Sequence, residues 1–420
     1  MKEKQSFNIY CALFLSTFFD AYALFYIQSF PVTVFTITSI VFFFWRIYKG
    51  RFRIVTLTPQ NTLLILFFFY LAINFIAFDL KNITSFMQAI YFLILCLLAY
   101  RKENKEVFDR YCLLYQRAMT CMSIYGIYQF FGRMAGFPFT DLIIDGHMVT
   151  GYNWTNVMYI FGKTVYRSNA IFREPSFFSQ MLAISLLLYI TTIFKNEYKE
   201  KHVWISISLQ IVAMATTFSG TGIMMLTIGV AIFAFKMIKN KSFWKKIIPI
   251  LLISLGIIIY VLLTTPFGSY FLNRANELFV YDRDASSGFV RFRAWLYVVA
   301  ESWTQNPFLG SGIGTGASYI FKYQQKFYGM TLNGLAKVAT ELGLVGVSLW
   351  CGLVLSFLQR RKNIMISYRY LSICCSIIPL ILMQEAFSSN LFWMLVMLLN
   401  CQLYNTNKEA TSCNAYPSKI

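Results

Sequence analysis

The residues from Tyr166 to Leu182, YRSNAIFREPSFFSQML, set the guanidinium groups of Arg167 and Arg173 and the carboxylate of Glu174 just ahead of an apolar run. Guanidinium groups bind phosphate or carboxylate bidentately and stay charged at any physiological pH. A positioned carboxylate can accept a proton from a hydroxyl. The same residues also suit a helix start: Pro175 fits a first turn, and the helix dipole favours Glu174 beside the amino terminus. Both readings stand at this level.

A second group follows in DRDASSGFVRFRAWLYVVAESWTQNPFLGSGIGTG, residues 282 to 316. Arg291 and Arg293 precede an amphipathic run, Ala294 to Trp303, that reads as a helix in or near a membrane interface. They fit a phosphate-bearing substrate or a lipid headgroup equally well. Gly310, Gly312, Gly314 and Gly316 form a glycine-rich turn. It lacks the Lys-Ser or Lys-Thr of a P-loop, and we read it mainly as loop flexibility, with phosphate contact by its amides as the lesser reading. A third group is Asn333, Lys337 and Glu341, which step by four and share one helical face. A polar face entering an apolar helix suggests a wet cavity, although Lys337 and Glu341 can also neutralise each other. Arg117, Asp20 and Glu385 are weaker signals inside apolar runs.

Other chemistries have little support. The nine cysteines show no zinc or redox spacing, and the two histidines, His147 and His202, do not cluster. The sequence therefore predicts neither a protein-held metal nor a cofactor.

These groups sit in a chain of 420 residues that is 57% hydrophobic, 19% aromatic and 13% charged, with a net charge of +19. Soluble domains carry about 25% charged residues, so the composition predicts an all-α polytopic membrane protein, a single membrane domain over 1–420. A spanning helix needs about 20 mostly apolar residues. Candidates lie near 7–28, 30–46, 61–79, 83–100, 111–134, 174–194, 203–218, 221–236, 247–264, 333–358, 365–384 and 387–404, twelve in all. With the amino terminus in the cytoplasm, 24 of the 37 basic residues but only 7 of the 18 acidic ones fall on cytoplasmic segments. The positive-inside rule favours this orientation, with both termini cytoplasmic. The excess charge then marks topology, with no nucleic-acid partner. Two enlarged loops, about 135–173 and 265–332, face outward, and long loops of this kind are usually functional.

The order of features resembles the Wzy-type polymerase branch of the O-antigen polymerase and ligase superfamily. The resemblance rests on Phe-x-Glu-Pro-Ser at 172–176, Ser-Gly-Thr-Gly at 219–222, and Arg291 four residues before Trp295. It rests also on Asn306-Pro307 with the glycine-rich turn, and on Asn333 to Gly343 with Glu341 and Gly346. Ligases of the superfamily look like His-[Asn/Ser/Gln]-x9-Gly, and here Leu332 stands at the His position, which favours polymerase. Gly220 stands where many members carry Arg.

The resemblance implies a glycosyltransferase of the bacterial inner membrane, acting in lipopolysaccharide biosynthesis at the periplasmic face. It would join repeat units carried on undecaprenyl diphosphate. Arg291 and Arg173 with Glu174 would be catalytic, with Glu341 the second choice of base. Arg167, Arg293, Asn333, Lys337 and Glu341 would bind substrate. Its partners would be the lipid-linked oligosaccharide and membrane lipids, with a chain-length regulator and a flippase as candidates. The competing readings are a ligase to lipid A–core and a flippase or other transporter.

Overall fold

Inverted amphipathicity shows in the helix at Pro59–Ala77 (α3 in chain order). Leu66, Phe69, Ile73 and Ile76 lie on its exposed face, while Asn61 and Asn74 are fully buried. A water-facing helix would do the reverse, so this apolar stripe suits a lipid environment. Thr58 caps the helix by accepting a hydrogen bond from the Asn61 amide at 3.2 Å, and Pro59 occupies the first turn. A helix at Val34–Tyr48 (α2) repeats the pattern, exposing Ile37, Ile40, Val41, Phe44 and Ile47.

The computed structural model describes all residues except 1, 28–29, 50–57, 150–156, 161–162, 195–200, 237–259, 261–263, 265–278, 282–288, 291–292, 359–367, 384–388 and 405–420. Its remaining helices are α1 (Lys2–Ser16), α4 (Ile83–Leu98), α5 (Lys105–Ala135), α6 (Pro175–Phe194), α7 (Lys201–Thr216) and α8 (Gly220–Lys236). Then follow α9 (Ala294–Gln305), α10 (Gly316–Gln324), α11 (Gly334–Leu358), α12 (Tyr368–Met383) and α13 (Asn390–Leu399). Three short strand pairs complete the described elements: β1 (Ala23–Ile27) with β2 (Phe30–Thr33), β4 (Val157–Ile160) with β5 (Lys163–Tyr166), and β3 (Arg101–Asn104) with β6 (Cys401–Tyr404).

Among the described residues, α3 and α11 are long and apolar enough to cross a membrane; the other apolar helices, taken over described residues, run 10–17 residues. The expected count of twelve full spans is therefore not what the described residues display. Two expected spans are shorter than the apolar runs suggested. The run at 7–28 is helical only through Ser16, continues as a 3-10 turn to Phe19, and stops before Asp20. The hydroxyls of Ser16 and Thr17 donate back to the Leu13 and Phe14 carbonyls at 2.6 and 2.7 Å. Ala23–Ile27 then pairs antiparallel with Phe30–Thr33. Among the described residues of the run at 387–404 the helix is Asn390–Leu399, and the end of the run pairs in parallel register with Arg101–Asn104. The expected span at 247–264 lies outside the described residues apart from Tyr260 and Thr264.

Polar contacts sort the element ends into two groups. At one end, Asn400 donates to Asn61 at 2.9 Å and to the Cys96 carbonyl at 2.8 Å, and Arg46 donates to the Tyr100 carbonyl at 3.0 Å. Arg369 pairs with Asp109 at 3.6 Å, and Arg101 pairs with Glu103. The opposite end is rich in loops. There the Ala23 amide donates to the His147 carbonyl at 2.7 Å, and Asn390 donates to Asp20. This loop-rich end carries Asp20, Arg167, Arg173, Glu174 and Asn333; Arg291 and Glu385 lie outside the described residues.

Candidate functional site

The segment before α6 is held from below by two buried side chains of α5. The carbonyl oxygen of Gln129 accepts from the amides of Asn169 and Ala170 at 2.9 and 2.8 Å and from the Ser168 hydroxyl at 3.2 Å. One turn on, Arg133 pairs with Asp141 and donates to the Arg167 carbonyl at 2.7 Å and to Asn169 at 3.3 Å. These bonds fix the turn at 168–170, where Ala170 takes a φ of 49°.

The candidates on this segment take different places. Arg167 turns its guanidinium onto the end of α7, donating to the Thr217 carbonyl at 2.8 Å and the Phe218 carbonyl at 3.3 Å. It thereby caps a helix carboxyl end, where a positive charge is favoured. Arg173 is half-buried, with its guanidinium 6.0 Å from the centre of the Phe177 ring. Glu174 starts α6: its backbone carbonyl accepts from the Phe177 and Phe178 amides, and its carboxylate accepts from the Ser176 hydroxyl at 2.9 Å. The helix-start reading of Glu174 thus holds, and its half-buried carboxylate stands beside Arg173 in sequence.

The second group is built on a broken helix. Within α11, Gly343 has a φ of 62° and a ψ of −161°, which interrupts the helical ladder. The glycine-rich turn supplies the missing partners. The Ser311 and Gly312 amides donate to the Thr340 and Glu341 carbonyls at 2.9 Å each, and the Leu344 amide donates to the Pro307 carbonyl at 2.9 Å. Trp303 donates to the Ala339 carbonyl at 2.9 Å, and Tyr70 to the Leu342 carbonyl. From α3, Asn74 donates to the Leu309 carbonyl at 2.8 Å and accepts from the Ile313 amide at 3.0 Å. Irregular backbone at membrane depth is tolerated only when neighbours satisfy it in this way.

The glycines are therefore a packing requirement more than a source of flexibility, which corrects the sequence-based reading. A Cβ on Gly310 would lie 2.6 Å from the Gly343 nitrogen, and one on Gly312 would lie 2.7 Å from the Phe78 ring. Asn333 caps α11, accepting from the Ala336 amide at 2.8 Å. Lys337 is half-buried one turn further on. Glu341 is 1% exposed and accepts from the Gly316 amide at 3.1 Å, which ties α11 to the start of α10. The described contacts thus bring Glu341 together with the glycine-rich turn, while Arg167, Arg173 and Glu174 belong to the segment ahead of α6.

Arg293 is exposed at the start of α9, with its guanidinium 4.9 Å from the centre of the Phe279 ring. Arg291 lies outside the described residues. The expected helix from Ala294 is present as α9, and it buries Ala294, Val298 and Val299 against Leu332, Ala336 and Ala339. Helices α9 and α10 are joined by Glu301, which accepts from Lys322 and, at 2.8 Å, from the Tyr323 hydroxyl. Those two bonds lower the Glu301 carboxyl below its ordinary range. Burial and Glu301 push the Tyr323 hydroxyl up to about 12, so it remains a donor.

A depressed carboxyl stabilises the folded state above its unfolded value and loses that contribution as pH falls through its folded value. Hydrogen-exchange protection over 294–324, measured relative to the intrinsic rate at each pH, should therefore fall on acidification below the ordinary carboxylate range. Glu301→Gln should be less protected at neutral pH and lose less protection in acid; an equal loss of protection in both would refute the tie.

Sequence reading missed Gln129, Arg133, Tyr70 and Asn74. Each pair is spaced i, i+4 in an otherwise apolar run, so each forms a polar face within a helix. That signal was present for Gln129 and Arg133 in YQFFGRMAG and for Tyr70 and Asn74 in YLAIN. Among the described residues, no group of three or more His, Cys, Asp or Glu side chains is placed to hold a metal.

The lipid-suited helices, buried polar faces and polar loop-rich end define a helical integral membrane protein with a candidate site at one end of its helices. Residues 205–351 match the O-antigen ligase family model, Wzy_C. Over that segment the chain is similar to the O-antigen polymerase and ligase superfamily, whose members act by glycosyl transfer on lipid-linked oligosaccharides in bacterial membranes. The match covers most of α7, all of α8 to α10 and most of α11, including Arg291, Arg293, the glycine-rich turn and Glu341, and it leaves out Arg167, Arg173 and Glu174. Compared with the curated proteins, the chain finds no match.

Proposed function

We propose that this protein polymerises surface polysaccharide, joining undecaprenyl-diphosphate-linked repeat units at the periplasmic face of the inner membrane. The carrying observation is Leu332, at the position where the superfamily's ligases resemble a His-[Asn/Ser/Gln]-x9-Gly pattern. Leu332 is 3% exposed and packs in an apolar group with Met330, Ala336 and Ala339. It has no proton to exchange and no nitrogen to offer a phosphate, which supports polymerase over ligase. The asymmetry of basic residues supports the orientation with the loop-rich end outward.

In the proposed reaction, the bond between the chain's terminal sugar and its diphosphate breaks, and the diphosphate leaves with the electron pair. A hydroxyl at the nonreducing end of the next lipid-linked unit forms the new glycosidic bond and gives up its proton. Arg173 and Arg293, with Arg291, stabilise the charge that develops on the diphosphate. Glu174 accepts the proton. Arg167 positions the turn at 217–218 through its carbonyl contacts, and Glu341 and Asn333 hold the shape of α11 beside the glycine-rich turn. Lys337, half-buried on the same helix, is assigned to substrate.

Lipopolysaccharide from a deletion strain tests the assignment. We expect a core carrying one repeat unit, restored to a full ladder by the wild-type chain. Bare core would indicate a lost ligase, and an intermediate retained at the cytoplasmic face would indicate a lost flippase.

A further inference from the structure

The longest described helix, α5, has more turns than a bilayer needs. Its 31 residues run about 46 Å, against an apolar layer about 30 Å thick. Lys105, Glu106, Asp109 and Arg110 mark one membrane surface in its first turns. Counted from there, the layer ends at about residue 130. Past Gly136 the chain does not continue outward but doubles back along α5. Tyr128 donates to the Pro138 carbonyl, Tyr125 to the Phe139 carbonyl at 3.2 Å, and Gln129 to the Thr140 carbonyl at 2.9 Å. Residues 137–140 therefore lie level with Tyr125 to Gln129, at the far edge of the apolar layer. Side chains of α5 satisfy three of their carbonyls, as irregular backbone at that depth requires.

This turn presents apolar side chains instead of hiding them. Phe139 holds a φ of 57°, a conformation that bulky residues rarely adopt and that persists only where neighbours over-determine it. The residue is nevertheless 80% exposed. The surface it joins is apolar already. Ile124, Tyr128 and Phe131 form an exposed stripe along α5, and Phe137 stacks on Tyr128 with ring centres 6.4 Å apart. Arg133, the one charged residue between Ile124 and Phe139, turns inward to Asp141. Aromatic rings concentrate at membrane interfaces, where a tyrosine keeps its ring in apolar surroundings and its hydroxyl in polar ones. We propose that the turn at 137–140 is a membrane anchor whose Phe139 ring inserts between the lipids of the leaflet at the loop-rich end. Arg133 also holds the Arg167 carbonyl and Asn169, so the anchor sets the depth of the segment ahead of α6. It does so whichever reaction that segment serves.

The test is photo-cross-linking of the full chain in nanodiscs of phosphatidylethanolamine and phosphatidylglycerol, with p-benzoylphenylalanine in place of Phe139. Lipid adducts should form as readily as with the probe at Ile124, and about tenfold more often than with the probe at Asp145, an exposed polar position of the same loop. Adducts to protein alone, which would mean that another chain sits on the turn, overturn the proposal. A lipid yield no higher than at Asp145 also overturns it. Hydrogen exchange over 136–149 in the same nanodiscs gives a second measurement. Asp takes a left-handed conformation more readily than Phe, so on a water-facing turn Phe139→Asp would keep or raise protection. An inserted turn should instead lose protection severalfold with Phe139→Asp and keep it with Phe139→Leu. Should the probe variant fail to accumulate, that comparison decides alone, and protection undiminished by Phe139→Asp overturns the anchor.

Discussion

Cells whose only copy of the protein carries Arg173→Ala should make lipopolysaccharide with a single repeat unit, although the variant inserts at normal levels. Removing one preorganised group that stabilises developing charge costs on the order of a hundredfold to a thousandfold in rate. An elongation reaction slowed that far yields few long chains. Arg173→Lys should also be poor, because Lys offers a point charge where the guanidinium offers a planar fork. Arg173 is half-buried beside the Phe177 ring, so either substitution changes the charge group more than the packing of α6. Full-length ladders from both variants would remove Arg173 from the reaction. Arg167→Lys should behave differently. Its guanidinium bonds the Thr217 and Phe218 carbonyls, so the expected loss is in stability of the turn at the end of α7.

The largest structural effect is expected at the crossing of Gly310 and Gly343. Gly343 holds a φ of 62° and a ψ of −161°, a region that side chains avoid at a cost of about 1–3 kcal/mol. An added Cβ there would also lie 2.5 Å from the Gly310 nitrogen and the Phe308 oxygen. Both neighbours are backbone, tied into the contacts that satisfy the break in α11, so neither can yield cheaply. Gly343→Ala should destabilise the protein by roughly 3 kcal/mol or more, in the range of severe single substitutions. Gly329 is the control, with a φ of 72° and open space where a Cβ would stand. Gly329→Ala should cost about 1–2 kcal/mol, the strain of the conformation alone. Thermal unfolding of the detergent-solubilised variants compares the two. Equal midpoints would show that the crossing does not carry the strain assigned to it.

Why the sequence showed some of this and hid the rest follows from how far apart the interacting residues lie. Runs such as 61–79 and 333–358 are long and apolar, and each became a helix within a few residues of its expected bounds. The Asn333, Lys337 and Glu341 face was equally legible, because a spacing of four is a property of one helix. The β1–β2 hairpin was not. Its residues, ALFYI and FPVT, are as apolar as a helix, and Asp20 just ahead of them meets Asn390, which is 370 residues away in sequence. The role of the glycine-rich turn was hidden for the same reason. Four spaced glycines look like a supple loop until Gly310 is seen pressed against Gly343. Arg167 and Arg173 look alike in YRSNAIFREPS, and only the position of the end of α7 separates a guanidinium that caps a helix from one that remains beside an aromatic ring.

The proposed polymerase elongates lipid-linked polysaccharide rather than transferring it to a final acceptor. Purified protein in proteoliposomes, supplied with undecaprenyl-diphosphate-linked repeat units and no lipid A–core, tests this most directly. A ladder of lipid-linked oligomers is expected from those two components alone. Unchanged single units, converted to product only after lipid A–core is added, would contradict it and assign the protein to ligation.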